Sequence, residues 1–229
     1  MSPARIPDRE IRILAAAGRN IIHFGYNKTT IDDIAREAGV SKGAIYLHWK
    51  SKEELFAALL IHEMELLLDD LSTRITDDPE GGTLAHMYRH SLLALQNNAL
   101  IRALYTQDSR LLGDYMRHQA TSRYTERFLF GKTFVQLLQN AGLIRTDLSP
   151  AAISYLMSII SYGFIGIETI IPAAEAPSLE EITVALTTFI QDGLARPEGD
   201  SAVGKRALLE MIRLVKQQYH PENQSTHPL

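Results

Sequence analysis

The stretch from Thr29 to Lys50, TTIDDIAREAGVSKGAIYLHWK, constrains the fold of this chain more than any other. Thr30 precedes Ile31, Ile34, Ala35 and Ala38, an apolar set at helical spacing. Its hydroxyl suits an N-cap, where it satisfies an amide that has no partner within the helix. Gly39 closes that helix, because glycine enters the left-handed region without a Cβ penalty. Ser41 caps a second short helix that holds Ala44, Ile45 and Tyr46. Only a tight turn separates the two helices, so they cross. Val40 fills the crossing, and Ala35 is small enough for close approach. Ile34, Ala38, Ile45 and Trp49 supply a shared core. The pattern is that of a helix-turn-helix, whose second helix can enter a major groove N-terminus first.

The rest of the chain also reads as helix, and the expected fold class is all-α. About ten helices are expected: an N-terminal three-helix domain carrying the helix-turn-helix, then a larger C-terminal helical domain. Asp8 is placed to cap a first helix, with Glu10 in its first turn and Gly25 as its stop. Ser51-Lys52-Glu53-Glu54 reads as a capping box that opens a long helix with Leu55, Phe56, Leu59, Leu60, Met64, Leu67, Leu68 and Leu71 on its buried side. Asp77 to Gly82 is a loop, Thr83 caps a helix to about Gln96, and Asn97-Asn98 marks a break before Leu100 to Tyr105. A further long helix is expected from near Ser109 to Asn140, closed by Gly142. Ser149-Pro150 is a cap followed by proline at the first helical position, opening a helix to about Ile171. Ser178 to Glu181 is a second capping box, for a helix to about Ala195. Ser201 to Tyr219 is a last amphipathic helix. The expected domains are 1–52 and 53–219, with 220–229 as a disordered tail.

Charge separates the two parts. Residues 1–52 hold nine Lys/Arg against five Asp/Glu, a balance of +4, whereas the whole chain carries −4. A basic head on an acidic body points to a localised contact with a polyanion. The chain has no cysteine, which excludes disulfides, thiolate metal sites and cysteine nucleophiles and is compatible with a reducing cytoplasm. Met1 to Arg12 carries charges and prolines and no apolar h-region, so no secretory signal is expected. Ala151 to Ile171 is mostly apolar, yet Ser154, Tyr155, Ser158, Ser161, Tyr162 and Glu168 recur in it. That polarity fits a helix between protein surfaces, so no membrane contact is expected.

The residues Phe24, Gly25, Thr29-Thr30, Asp33-Ile34-Ala35, Ala38-Gly39-Val40-Ser41-Lys42-Gly43, Tyr46 and Ser51-Lys52-Glu53-Glu54-Leu55 closely resemble the head of the tetracycline-repressor (TetR) family of transcriptional regulators. The likeness runs from about Ile11 to Leu55. Trp49 stands where the family usually has phenylalanine. Ala141 to Arg145 is similar to a family junction between its seventh and eighth helices.

The resemblance implies a homodimer on a double-stranded, palindromic DNA operator, one recognition helix per subunit in successive major grooves. It implies that Ser41, Lys42, Gly43 and Ala44 line the groove, with Lys42 at a guanine edge or phosphate and Ala44 at a thymine methyl. It implies that Thr29, Thr30, Tyr46, His48 and Lys52 hold phosphates. Thr30 and Ser41 read equally as caps, and Tyr46 as core. The helices near 150–171 and 179–195 are the implied dimer interface. The helices between about 55 and 165 would enclose a small-molecule effector. Tyr88, Arg102, Tyr105, Tyr115, Arg123, Phe134 and Tyr155 are candidate lining residues, each of which also reads as plain core or surface. Repression with effector-driven release is the expected mode, and activation stays open, as does the role of the helix 201–219.

Other constellations are weak. His86 and His90 stand four apart on one helix face, as metal-binding histidines do, but no carboxylate stands at a fixed spacing from them. No metal and no cofactor are therefore expected. His62-Glu63 begins like a zinc-protease motif, which Leu66 breaks. No Gly-x-Ser-x-Gly elbow and no phosphate-cradling glycine loop occur, so the chain is not expected to be an enzyme. A helical enzyme and a ligandless interaction protein are the alternative readings at this stage.

Overall fold

A computed structural model describes residues 8–118, 122–167, 170–172, 174–196 and 199–219, with the side chains of 116–130 left aside. The expected tail at 220–229 lies outside the described residues. The described residues form eleven α-helices: α1 (Asp8–Phe24), α2 (Ile31–Ala38), α3 (Lys42–Tyr46), α4 (Lys52–Asp77), α5 (Leu84–Asn97), α6 (Ala99–Thr106), α7 (Ser109–Leu112), α8 (Ser122–Asn140), α9 (Pro150–Gly166), α10 (Leu179–Leu194) and α11 (Ser201–Tyr219). No strand forms among the described residues, and the all-α class holds. One isolated bridge joins Ile144 to Ala195.

Most helix boundaries follow their caps. Ser149 and Ser178 accept from Ala152 N and Glu181 N, and the Ser178–Glu181 box closes in both directions. At Ser51 only half of the expected box forms. Ser51 Oγ accepts from Glu54 N at 3.1 Å, while Glu54 turns its carboxylate to Lys50 N at 2.7 Å. Asp8 lies inside the first turn of α1 rather than ahead of it, where its charge still suits the helix N-terminus.

The expected long helix from Ser109 to Asn140 is broken. Asp108 caps a one-turn α7, and Gly113 leaves it at φ +50° into a 3-10 segment, Gly113–His118. The cause is remote in sequence. The Asn27 side chain lies 2.4 Å from where a Cβ on Gly113 would stand, and its Oδ1 accepts from Asp114 N at 3.0 Å. That interruption raises the helix count to eleven.

The chain divides into two compact units, residues 8–66 with 98–118 and residues 67–97 with 122–219. In the first, Ile13, Leu14, Ala17 and Ile21 of α1, Ile34 and Ala38 of α2 and Ile45 of α3 share one core. Leu55, Phe56, Leu59 and Leu60 of α4, Leu100 and Ala103 of α6, Leu112 of α7, and Tyr115 belong to the same core. The compact unit around the helix-turn-helix thus takes in more chain than residues 1–52. Tyr26 N donates to Leu111 O at 2.8 Å, and Gly25, at φ +79°, passes so close to Arg110 that a Cβ would stand 2.7 Å from its carbonyl oxygen.

In the second unit α5 packs on α10, and α8 packs on α9 and α11. Leu92 of α5, Leu138 of α8, Ile153 of α9, Ile190 of α10 and Met211 of α11 are buried there. The hydroxyls of Ser158 and Ser161 donate back to the carbonyls of Ser154 and Met157, so these two polar groups are bonded within the helix. Among the described residues no helix is long and apolar enough to cross a membrane.

Phe56 is fully buried between Tyr26 and Tyr115, with ring centroids 4.9 and 4.5 Å away. Phe56→Ala removes those contacts and leaves a cavity, and is expected to lower stability by about 3–5 kcal/mol. Urea denaturation followed by circular dichroism checks this. A loss below about 1 kcal/mol would show that the ring does not organise the unit.

Candidate nucleic-acid interface

Two caps and one turn build the candidate surface. Thr30 Oγ1 accepts from Asp33 N, and Thr30 N donates to Asp33 Oδ2, both at 3.2 Å, a reciprocal cap that starts α2. Gly39 ends α2 at φ +66°, and its amide returns to the carbonyls of Ala35 and Arg36. Ser41 then starts α3 by accepting from Ala44 N at 3.2 Å. Ile45 is the fully buried anchor of α3, and Trp49 packs against the same core.

With Ile45 turned inward, the other side chains of this segment face solvent. Ser41, Lys42 and Gly43 are exposed, Ala44 is half-buried, Tyr46 is 45 % exposed and Leu47 is 82 % exposed. A Cβ on Gly43 would meet only Ser41 Oγ, at 3.9 Å. The packing of the head itself therefore does not require glycine there, and the position leaves room for close approach by a partner. Leu47 was not among the expected contacts. Its signal lay in the spacing, since the apolar face set by Ile45 and Trp49 excludes it.

The charges of the head are mostly paired. Asp8 pairs with Arg12, Glu37 with Arg19, Asp33 with Arg36, Asp32 with Lys42 at 2.9 Å and Glu10 with His48 at 2.7 Å. The Asp32 hydrogen bond raises the pKa of the exposed Lys42. Such surface pairs are weak and exchange readily for a phosphate. Among the described residues Arg9, Lys28 and Lys50 have no carboxylate partner, so the net positive charge of the head is displayed rather than neutralised. Lys28 and Lys50 also went unnoticed in the sequence, where a single lysine carries no pattern.

Two of the expected phosphate contacts are engaged internally. Thr29 is 1 % exposed, and its hydroxyl donates to Gly25 O at 2.9 Å, closing the end of α1. Lys52 is half-buried, with Nζ 4.1 Å from the centre of the Tyr26 ring, and desolvation lowers its pKa. Thr30, Tyr46 and His48 stay at the surface, with His48 Nδ1 held by Glu10.

The candidate effector residues fall in both compact units. Tyr105 and Tyr115 are buried in the first unit, where Tyr115 packs edge-on against Phe56, and Arg102 is half-buried in the same unit. In the second unit Tyr88 is buried, with its hydroxyl 2.8 Å from Ser161 Oγ; Phe134 is half-buried, and Tyr155 is 62 % exposed on α9. The side chain of Arg123 lies outside the described residues. A shallow depression on α10, lined by Ala185, Thr188, Phe189, Asp192 and Gly193, holds none of the seven.

Beside Lys52, Tyr26 donates its hydroxyl to Glu53 Oε1 at 3.0 Å. Burial, reinforced by that carboxylate, raises the tyrosine pKa, so Tyr26 remains a donor. Glu53 is shifted the other way, first by its backbone amide and then by Tyr26. A carboxylate with a depressed folded pKa adds stability above its unfolded pKa, about 4.3, and that stability fades as pH falls through the folded value. Tyr26→Phe is therefore expected to lower stability more at pH 7 than at pH 3. Urea midpoints at the two pH values check it, and an equal loss at both would sink the assignment.

Comparison with known proteins gives this surface a context. Residues 13–59 match the family of bacterial regulatory proteins, tetR family. Over 208 residues the chain is 27 % identical to an uncharacterized HTH-type transcriptional regulator of Mycobacterium tuberculosis, spanning 86 % of this chain and 93 % of that one. It is 34 % identical over 110 residues to the HTH-type transcriptional regulator TtgR of Pseudomonas putida, 47 % of this chain and 49 % of TtgR. Its fold is that of SCO4942 from Streptomyces coelicolor, with a TM-score of 0.60 at 21 % identity over 83 % of this chain and all of that one. The match falls on the residues that build α1 to α3 and the start of α4, and the chain belongs to the TetR family of helix-turn-helix transcriptional regulators.

Proposed function

We propose that the protein is a homodimeric repressor of the cytoplasm that holds a palindromic DNA operator through α3 and leaves it when a small apolar or amphipathic effector binds. The observation that carries the DNA reading is the exposed run Ser41, Lys42, Gly43, Tyr46 and Leu47 on a short helix anchored by Ile45. Lys42 exchanges Asp32 for a guanine edge or a phosphate, and Gly43 admits the DNA backbone. Ala44 and Leu47 meet apolar groups such as a thymine methyl. Thr30, Tyr46, His48, Lys28 and Lys50 set register on phosphates. Two such heads stand one DNA turn apart, about 34–36 Å, on the operator.

The dimer reading is supported by apolar side chains that face solvent on α9 and α10. Tyr155, Ile159 and Tyr162 recur at helical spacing on α9, and Val184 and Phe189 stand out on α10, with Tyr155 and Phe189 each 62 % exposed. Apolar surface of this kind marks an interaction site, and a two-fold axis would bury it as a four-helix contact. The effector reading is supported by buried Ser154 and Thr183 among the apolar side chains of the second unit, a mixture that suits a small amphipathic molecule. Of the candidate contacts, Tyr88 is buried and Phe134 half-buried in the same unit. α4 is continuous from Lys52 to Asp77 and offers a stiff element through which an effector that prefers the non-binding state could draw the heads off the operator.

DNA fragments selected from the genome by the purified protein, footprinted and titrated by fluorescence anisotropy, test the reading. Lys42→Ala is expected to weaken operator binding by about 1–3 kcal/mol with the melting temperature unchanged. Unchanged affinity in both Lys42→Ala and Tyr46→Ala, or a footprint without dyad symmetry, would remove the reading. Phe189→Asp is expected to convert a dimer into a monomer in sedimentation velocity, and a variant that sediments as the wild type would move the interface elsewhere.

A further inference from the structure

We infer that Asp78, His86 and His90 form a binding site for one divalent transition-metal ion. His86 and His90 are four residues apart and share a face of α5. The fold supplies the carboxylate that the sequence spacing did not. Asp78 Oδ2 lies 2.6 Å from His86 Nδ1 and 2.7 Å from His90 Nε2, and the three ligand atoms all fall within 4.8 Å of one another. An ion with bonds of about 2.0–2.2 Å holds such atoms roughly 3.3 Å apart. The two Asp78–histidine contacts need to lengthen by less than about 1 Å to admit it.

The loop that presents Asp78 is built rather than loose. Asp78 N donates to Arg74 O at 3.1 Å, and Glu80 N donates to Asp78 Oδ1 at 2.9 Å, which leaves Oδ2 to the imidazoles. Lys205 of α11 donates to the carbonyls of Thr76 and Asp78 at 3.2 and 2.7 Å. Gly82 and Gly204 pack backbone to backbone, since a Cβ on Gly82 would stand 1.7 Å from Ser201 O and one on Gly204 would stand 2.0 Å from Gly82 O. The loop is therefore held by α11 on one side while it faces the two histidines on the other.

The surroundings suit a metal. Glu80 Oε2 lies 3.3 Å from His86 Nε2, so the carboxylate can accept a hydrogen bond from Nε2–H and leave the Nδ1 lone pair facing the site. A carboxylate behind a ligating histidine fixes ring orientation and raises ligand basicity. The side chains of His90, Asp78 and His86 are 11 %, 18 % and 30 % exposed, so the site is largely desolvated but open at the His86 edge, where an ion can enter and a water can complete the shell. Two imidazoles and one carboxylate favour zinc, nickel, cobalt or copper over magnesium and calcium, which prefer oxygen ligands throughout. Binding displaces the protons that Asp78 otherwise accepts from the two rings.

The test uses the full chain, freed of metal by chelator and then titrated with Zn2+, Co2+ and Mg2+ by calorimetry, with Co2+ absorption as a direct view of the ligands. One Zn2+ per chain, a raised melting temperature and visible Co2+ bands are expected. Glu80→Gln is expected to weaken Zn2+ binding by about 10–100-fold. Asp78→Asn and His86→Ala should each weaken it further and abolish the Co2+ bands. No saturable Zn2+ binding at micromolar metal, Mg2+ binding as tight as Zn2+, or an unchanged affinity in folded His86→Ala would overturn the inference. Should Asp78→Asn and His86→Ala fail to fold, an unchanged affinity in Glu80→Gln, whose side chain is exposed, overturns it equally.

Discussion

The burial of the first turns of α4 is the constraint on which the reading surface depends. Phe56 sits between Tyr26 and Tyr115, and Leu55, Leu59 and Leu60 complete the same apolar face. α3 is only five residues long and has almost no helical stability of its own. It exists because Ser41 caps it and because Ile45 drops into the core that α1, α2 and α4 make together. The orientation of Lys42, Tyr46 and Leu47 is thus a consequence of packing at Phe56, a residue that itself reaches no partner molecule.

The head separates structural polar groups from available ones. Thr29, Thr30 and Ser41 bond the backbone and define where helices begin and end. Lys42 and His48 are only loosely committed, each to one carboxylate at the surface. The Lys42–Asp32 pair opens at little cost, because an exposed ion pair contributes about 0–1 kcal/mol.

The second unit uses polar groups differently. Ser158 and Ser161 of α9 turn back on their own helix, while Tyr155, Ile159 and Tyr162 remain at the surface. Asp78 is the opposite case, a carboxylate drawn in from a loop. Burial opposes its charge, yet the hydrogen bonds from His86 and His90 hold its pKa well below the usual carboxylate range. The turn at 78–82, α5 and α11 meet at this one side chain and its carbonyl.

Features decided within a few residues were legible in the sequence. The caps at Thr30, Ser41, Ser149 and Ser178, the left-handed turn at Gly39 and the loops around Pro79 and Pro172 rest on a side chain meeting a backbone group nearby, so residue type and spacing determine them. The helix-turn-helix and the all-α class follow from those local bonds. What depends on distant partners was settled only in three dimensions. Asn27 ends a helix at Gly113, Gly25 draws the hydroxyl of Thr29 inward, Tyr26 covers Lys52, and a loop brings Asp78 to the histidines of α5. None of these pairings leaves a periodic trace along the chain. Each arises because burying apolar faces fixes where loops must pass, and the polar groups carried on those loops then bond to whatever the packing sets beside them.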